Sequence, residues 1–129
     1  MDNSKYAVAV LIKSPKGIPL VWDPKKENPY WKLPGERSEK DEFPVATAIR
    51  EIKEETGLII KEKDLQLLHK EDRGNHFFVL FKTKLSSLSG LKALGNGMEQ
   101  VKIFPIQRIK TLKNFFPNHR KILEHLQEI

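Results

Sequence analysis

The stretch Arg50-Glu51-Ile52-Lys53-Glu54-Glu55-Thr56-Gly57-Leu58 places three carboxylates on one side of a predicted helix. Positions three and four apart share a helical face, so Glu51, Glu54 and Glu55 come within reach of one another. Like charges at this spacing cost an isolated helix about 0.2–0.5 kcal/mol per pair. A divalent cation would reverse that effect, because Mg²⁺ binds carboxylates, waters and substrate phosphates. Taken alone, however, an acidic run of this kind is more often a solvated helix face.

The residues upstream favour a functional site over a solvated helix face. The segment Trp31-Lys32-Leu33-Pro34-Gly35 begins a longer pattern that ends at Leu58. Read together, residues 31–58 resemble the signature of the Nudix hydrolases, whose box is written G-x5-E-x7-R-E-U-x-E-E-x-G-U, with U a bulky aliphatic residue. Every specified position except the first matches, with the spacing intact. The matching positions are Glu42, Arg50, Glu51, Ile52, Glu54, Glu55, Gly57 and Leu58.

Three positions in this region depart from the residues that are usual in the family. Glu36 stands where the box begins with Gly, and Asp41 replaces a Gly that is common just before the first box Glu. Gly serves where φ must be positive or where backbone approaches closely, and Asp tolerates the left-handed region better than Glu does. Phe43 stands where members often carry Ser or Thr as a helix cap, so the helix is expected to start less firmly, although Pro44 suits a first helical position.

The resemblance implies a reaction and a cofactor. The reaction is hydrolysis of the pyrophosphate linkage in a nucleoside diphosphate linked to another moiety, with Mg²⁺, or alternatively Mn²⁺, as the cofactor. The implied catalytic and metal-binding acids are Glu51, Glu54 and Glu55, helped by the carbonyl of Gly35.

The resemblance also implies supporting residues and leaves the general base open. Arg50 and Glu42 look like the pair that orients the metal-binding acids, since a ligand carboxylate left to rotate would lose its geometry. The base varies within the family, so Glu51 and Glu54 are both candidates. Glu99 is a third candidate, because it resembles in placement an extra acid that some members supply.

Other residues that could carry chemistry are harder to place. The four histidines lack ligand spacing around the motif and are interpreted as structural or surface residues. The aromatic run at residues 77–81 is more typical of a sheet core than of a platform for stacking bases. Four basic side chains could contact phosphate without any of them standing out: Lys13, Lys32, Arg37 and Lys82.

The composition of the chain limits the classes of protein to which it can belong. A chain of 129 residues with 39% hydrophobic content predicts one domain, residues 1–129, with its own core. Cysteine is absent, which excludes disulfides, thiolate metal sites and a Cys nucleophile. No segment approaches the roughly 20 apolar residues of a membrane span, and the start lacks a secretory pattern, so a cytoplasmic protein without membrane contact is expected. The net charge of +6 favours anionic partners.

The order of the predicted elements indicates a mixed α/β layered domain. A buried strand at residues 6–12 is followed by a turn and by a second strand, which are expected to form a hairpin. Gly57 is expected to end the central helix, residues 85–97 are expected to form a loop near the substrate entrance, and a C-terminal helix carries Leu123 on its apolar edge. The resemblance sharpens this fold to a Nudix-like α/β/α sandwich with a mixed sheet. The predicted strands are residues 6–12, 19–23, 30–33, 65–68, 77–83 and 98–104.

Two functions follow from these patterns. The leading hypothesis is a metal-dependent pyrophosphohydrolase of small-molecule nucleotide polyphosphates, with a lean towards nucleoside triphosphates and their modified, oxidised forms. The alternative is a catalytically weak Nudix-like module that binds a nucleotide or an RNA 5′ end, which the substitutions at Glu36, Asp41 and Phe43 motivate. Retention of all the metal-binding acids favours the enzyme, and an RNA end is not the favoured partner.

Overall fold

Two three-stranded sheets carry the fold in the part of the chain that the computed structural model describes, residues 5–27 and 29–129. The strands are β1 (Tyr6–Lys13), β2 (Ile18–Trp22), β3 (Trp31–Lys32), β4 (Gln66–Asp72), β5 (Phe77–Lys84) and β6 (Gln100–Phe104). The helices are α1 (Pro44–Thr56), α2 (Ile106–Thr111) and α3 (Pro117–His125), with one 3₁₀ turn at Glu62–Asp64. One sheet has the order β1-β5-β4 and the other the order β3-β2-β6.

The first sheet is mixed, as the family resemblance implied, and it lies between helices. Strand β5 pairs in parallel with β1 and antiparallel with β4. Alternate residues of β1 point to opposite faces. Val8 and Val10 belong to the cluster that contains Ile52 of α1, whereas Leu11 packs in the cluster that contains Leu123 of α3. The layers therefore follow the α/β/α order of the expected sandwich.

The hairpin expected between the first two strands is wrong. The turn itself is present, because Ser14 and Gly17 exchange two backbone hydrogen bonds of 3.1 Å. Beyond the turn, however, β2 pairs with β3 and β6 in the second sheet. Both edges of β1 are already occupied, one by β5 and the other by residues 34–38, so β1 has no edge left for β2.

The ends of α1 behave as the sequence indicated. Phe43 provides no side-chain cap and is 67% exposed, while Pro44 occupies the first helical turn. Gly57 ends the helix in the left-handed conformation, with φ of 82°. The short helix α2 was not predicted, and within the described residues no helix is long and apolar enough to cross a membrane.

Candidate active site

Gly35 ties the edge of β1 to the acidic face of α1. The N–H of Val8 donates to the carbonyl of Glu36 at 3.0 Å, and the N–H of Gly35 donates to Glu55 Oε1 at 2.7 Å. Gly35 has φ of 145°, and a Cβ there would lie 2.0 Å from the carbonyl oxygen of Val8. The position therefore requires glycine. Among the described residues the carbonyl of Gly35 accepts no hydrogen bond, so it is available as a ligand.

The two positions where the chain lacks a usual family glycine differ in conformation. Asp41 has φ of 64°, which is the left-handed region that Asp tolerates. Glu36 is not among the non-glycine residues with positive φ in the described ranges, so its backbone needs no glycine. Its half-exposed carboxylate lies 3.8 Å from Lys32 Nζ. The substitution therefore adds an acid beside the site without straining the loop.

Two of the three predicted ligand acids are buried carboxylates. Glu51 is 8% exposed and Glu55 is 6% exposed, whereas the side chain of Glu54 is 44% exposed. Burial raises the pKa of Glu55 to about 8, against the opposing charge of Lys32. Burial also raises the pKa of Glu51, although the neighbouring arginine opposes it. Desolvated acids of like charge are costly unless a cation compensates them.

Arg50 connects the acids of α1 to Glu42. Its Nε and Nη2 donate to the two carboxylate oxygens of Glu42 at 2.7 and 2.9 Å. Its Nη1 donates to Glu51 at 2.7 Å and to Glu54 at 3.1 Å. Hydrogen bonding from Arg50, with a further bond from Thr47 Oγ1, holds the pKa of Glu42 at about 2. The structure thus brings together the predicted supporting pair and the predicted ligands, and their chemical roles stay a prediction.

The donor set suits a hard divalent cation. Within residues 5–27 and 29–129, no three acidic or histidine side chains already stand in ligand geometry. Arg50 holds Glu51 and Glu54, while the N–H of Gly35 holds Glu55. Binding a cation therefore requires these side chains to turn from their present partners. All the candidate donors are oxygens, as Mg²⁺ prefers, and the raised pKa of the buried acids reflects charge that lacks full compensation.

The loop between β5 and β6 packs against the last turn of α1 and carries Glu99. The carboxylate of Glu99 folds back on this loop and accepts a hydrogen bond from the N–H of Gly97 at 3.2 Å. A Cβ on Gly95 would lie 2.5 Å from Glu99 Oε1 and 2.6 Å from the carbonyl oxygen of Glu55. Glu99 therefore lies close to the helical turn that bears Glu55. Its role as a base stays a prediction.

A cavity of about 430 Å³ opens beside Gly35, and sequence reasoning did not find it. Phe78, which the sequence placed in the core, is 3% exposed and still forms part of the cavity wall. The volume lies within the range of ligand pockets, about 300–1,000 Å³. The aromatic lining residues are Tyr30, Phe78, Phe116 and His119, and the charged lining residues include Lys32, Glu36, Arg37 and Arg73.

The basic residues considered for phosphate binding separate into two groups. Lys32 and Arg37 line the cavity. Lys13 and Lys82 instead bind the carboxylate of Glu128, at 2.7 and 2.9 Å. Only the first two are therefore placed to meet a ligand in this cavity.

Comparisons with known proteins agree on the fold. The profile of the NUDIX domain family matches residues 3–126. A MutT structure described for Aliivibrio salmonicida and Vibrio cholerae superposes with a TM-score of 0.78 at 18% identity, covering 95% of this chain and 97% of that one. MutT from Methanosarcina mazei gives a TM-score of 0.71 at 18% identity, covering 95% and 92%. A bifunctional NMN adenylyltransferase/ADP ribose pyrophosphatase from Francisella tularensis, complexed with AMP and a Mn ion, gives 0.70 at 20% identity, covering 99% of this chain and 42% of that one. Comparison with curated protein sequences gives no significant match.

Proposed function

Because the chain belongs to the Nudix family and is a pyrophosphohydrolase, we propose that it is Mg²⁺-dependent, with Mn²⁺ as a substitute, and acts on nucleotides. The bond cleaved is the pyrophosphate linkage of a nucleoside diphosphate joined to another moiety. Nucleoside triphosphates and their modified, oxidised forms come first among the substrates. The observation that carries this proposal is the pair of buried acids, Glu51 and Glu55, of which Glu55 accepts a hydrogen bond from Gly35 in the wall of an aromatic cavity. A cytoplasmic location stays a prediction.

The residues that would hold the cation are Glu51, Glu54 and Glu55 with the carbonyl of Gly35. When bound, Mg²⁺ supplies neutralisation of the phosphate oxygens and a template for in-line displacement. The fork between Arg50 and a partner carboxylate restrains the guanidinium, whose Nη1 contacts two of the acids. These contacts restrict the side-chain rotamers of the two acids before a cation binds. Such restriction is the expected role of a supporting pair that does not itself bind the cation.

A carboxylate must also take the proton of the attacking water. Such a base has to come within about 2.6–3.2 Å of that water in the substrate complex. Glu51 and Glu54 on α1 and Glu99 on the neighbouring loop are the candidates. Single Gln variants separate a ligand from a base, because loss of a ligand is partly recovered at higher Mg²⁺ whereas loss of the base lowers kcat even at saturating Mg²⁺.

The cavity supports a nucleotide as the substrate. It reaches Gly35 and Glu36 at one part of its lining and offers aromatic faces at another. Lys32 and Arg37 also line the cavity and supply positive charge for phosphates. A base held among the aromatic side chains would thus direct its phosphate chain towards the acids.

A panel of nucleotides incubated with Mg²⁺ tests the proposal, with products identified by ³¹P NMR. We expect cleavage of a pyrophosphate linkage. Glu55→Gln should lower turnover by orders of magnitude while circular dichroism stays unchanged, and Glu62→Gln, at an exposed position, should keep wild-type turnover. Unchanged turnover in Glu55→Gln would remove Glu55 from the site. Thermal stabilisation by nucleotides without product, across several metals, would instead favour the weak binding module.

A further inference from the structure

Two hydroxyl groups are buried between the loop that follows Gly35 and the first turn of α1. Ser38 is 4% exposed and Thr47 is 0% exposed. The two oxygens, Ser38 Oγ and Thr47 Oγ1, lie 2.7 Å apart. The backbone N–H of Ser38 also donates to the carbonyl of Tyr6 in β1 at 2.8 Å. One end of this hydroxyl pair is therefore fixed to the first sheet.

The direction of the hydrogen bonds follows from a third partner, Glu42. Thr47 Oγ1 lies 2.7 Å from Glu42 Oε1 and 3.2 Å from the carbonyl oxygen of Phe43. Arg50 holds the pKa of Glu42 at about 2, so this carboxylate is ionised at neutral pH and only accepts hydrogen bonds. The single hydroxyl proton of Thr47 is donated to the nearer and charged acceptor. The Ser38 hydroxyl therefore donates to Thr47, and Thr47 donates to Glu42.

Glu42 needs an anchor that does not depend on the acids it supports. If the two acids that Arg50 Nη1 contacts turn towards a cation, the guanidinium keeps its paired hydrogen bonds to Glu42 and loses the others. The carboxylate of Glu42 is itself held by Thr47 and by the N–H of Glu39, at 2.7 and 3.1 Å. Glu39 is exposed, whereas Thr47 is buried and connected to the sheet.

The start of α1 provides no side-chain cap beside Glu42. Phe43, the next residue, makes no cap hydrogen bond and is mostly exposed. Asp41, on the other side of Glu42, is exposed and has the left-handed conformation. Because Thr47 Oγ1 contacts both the carboxylate of Glu42 and the carbonyl of Phe43, it connects the segment before the helix to the first helical turn.

We propose that Thr47 is a positioning residue for the hydrolysis: through Glu42 it fixes the guanidinium of Arg50 while the acids of α1 turn towards the cation. Ser38 in turn fixes the hydroxyl of Thr47. The inference rests on the proposed function and extends it to two residues that occupy no specified position of the sequence box. Thr47 contributes one hydrogen bond to a charged group, so its loss should lower turnover about tenfold.

Steady-state kinetics of Thr47→Val test the proposal, because valine keeps the branched shape and removes the hydroxyl. With saturating Mg²⁺ and a nucleotide that the wild type cleaves, kcat should fall about tenfold while KM stays within about twofold. Thr47→Ala removes the same hydroxyl with a good helix former and should lose as much turnover. Thr47→Ser keeps the hydroxyl and should recover most of it. Unchanged kcat in Thr47→Val, or no recovery in Thr47→Ser, would overturn the proposal.

Thr83→Val is the matched control. Thr83 is also buried, at 2% exposure, and its Oγ1 has no hydrogen-bond partner among the described residues. The same substitution therefore removes a buried hydroxyl that holds nothing, and kcat should stay at the wild-type value. A tenfold loss in Thr83→Val would mean that the assay responds to any change in packing and would refute the assignment to Thr47.

A double-mutant cycle separates positioning from a general loss of packing. In the Glu42→Ala background the Thr47 hydroxyl has lost the carboxylate through which it acts. Adding Thr47→Val should therefore change kcat by less than about twofold in that background. A further loss of about tenfold would show that Thr47 acts independently of Glu42, and the proposal would be wrong.

A measurement without turnover distinguishes failure of this inference from failure of the proposed function. Arg50 Nε–H donates to Glu42 Oε2 at 2.7 Å, so this proton should exchange slowly with water. With Mg²⁺ and no nucleotide, exchange followed by NMR should be several-fold faster in Thr47→Val and unchanged in Thr83→Val. Unchanged exchange in Thr47→Val would contradict the positioning role. A wild type that cleaves no nucleotide would refute the proposed function alone, because the exchange rate reports the contact whether or not turnover occurs.

Discussion

Replacing Glu55 by Gln should stabilise the metal-free protein even as it removes activity. Glu55 is 6% exposed, and burial raises its pKa from 4.5 to about 8. A folded-state pKa above the unfolded value gives stability that is fully present below pH 4.5 and is lost as the pH rises through 8. At 1.36 kcal/mol per pKa unit, the loss reaches at most about 5 kcal/mol. Gln keeps an oxygen for the N–H of Gly35 and carries no charge.

Thermal unfolding followed by circular dichroism between pH 5 and pH 9, with a chelator present, measures this effect. A domain of this size changes its Tm by about 4 °C per kcal/mol. The variant should therefore gain little at pH 5 and about 8–15 °C at pH 9. Adding Mg²⁺ should raise the Tm of the wild type more than that of Glu55→Gln, because only the wild type retains the full ligand set.

The matched control is Glu62→Gln on the 3₁₀ turn, where the carboxylate is exposed and no pH-dependent gap is expected. A gap between Glu55→Gln and wild type that does not grow with pH would refute the reasoning. So would a variant that is less stable than wild type at pH 9. Either result would mean that Glu55 carries no uncompensated buried charge.

Three further predictions concern the support of the site and of the sheet. Arg50→Lys loses the paired hydrogen bonds to the carboxylate of Glu42, so kcat should fall about 10–100-fold in a pyrophosphate-release assay. Normal turnover in this variant would exclude a supporting role for Arg50. Gly35→Ala places a Cβ 2.0 Å from a carbonyl of β1, so the urea midpoint should fall by the equivalent of about 2–4 kcal/mol, and an unchanged midpoint would contradict this packing. Glu128→Gln should cost about 1–2 kcal/mol at pH 7 with turnover intact, because hydrogen bonds from two lysines outweigh burial and lower the pKa of Glu128. Stability from a lowered pKa is present above the unfolded value and lost on acidification, so the wild-type advantage should shrink below about pH 4.5, and a pH-independent difference would argue against the ion pairs.

The acidic face of α1 was predictable because a helix fixes the mutual placement of residues a few positions apart. Glu51 and Glu55 lie one turn apart in any α-helix, and the helix ends were marked by Pro44 and Gly57. The burial of the two acids was not predictable in the same way. Glu55, for example, lies against Gly35 and its contact with β1, which only the tertiary packing provides.

The first strand pairing and the cavity needed the structure for a related reason. Turn chemistry at residues 14–17 correctly marked a reversal, but the partner of β1 is decided by competition for its edges among β5, β2 and residues 34–38. The cavity walls come from residues distant in the chain, such as Tyr30, Phe78 and His119. No periodicity links these segments, so a histidine that looked structural in the sequence turned out to line a ligand-sized space.

Glu36 bears on the choice between an enzyme and a weak binding module. Its backbone has no need of glycine, and its negative charge adds to the effect of burial in raising the pKa of Glu51 and Glu55. Without a cation, this extra acid would repel the phosphates of any nucleotide in the adjoining cavity. With a cation bound, the same charge would strengthen the hold on it. A module that bound nucleotides without metal would bind them more tightly with a neutral or basic residue at this position. The presence of Glu36, which in the sequence motivated the binding module, therefore favours a metal-dependent hydrolase.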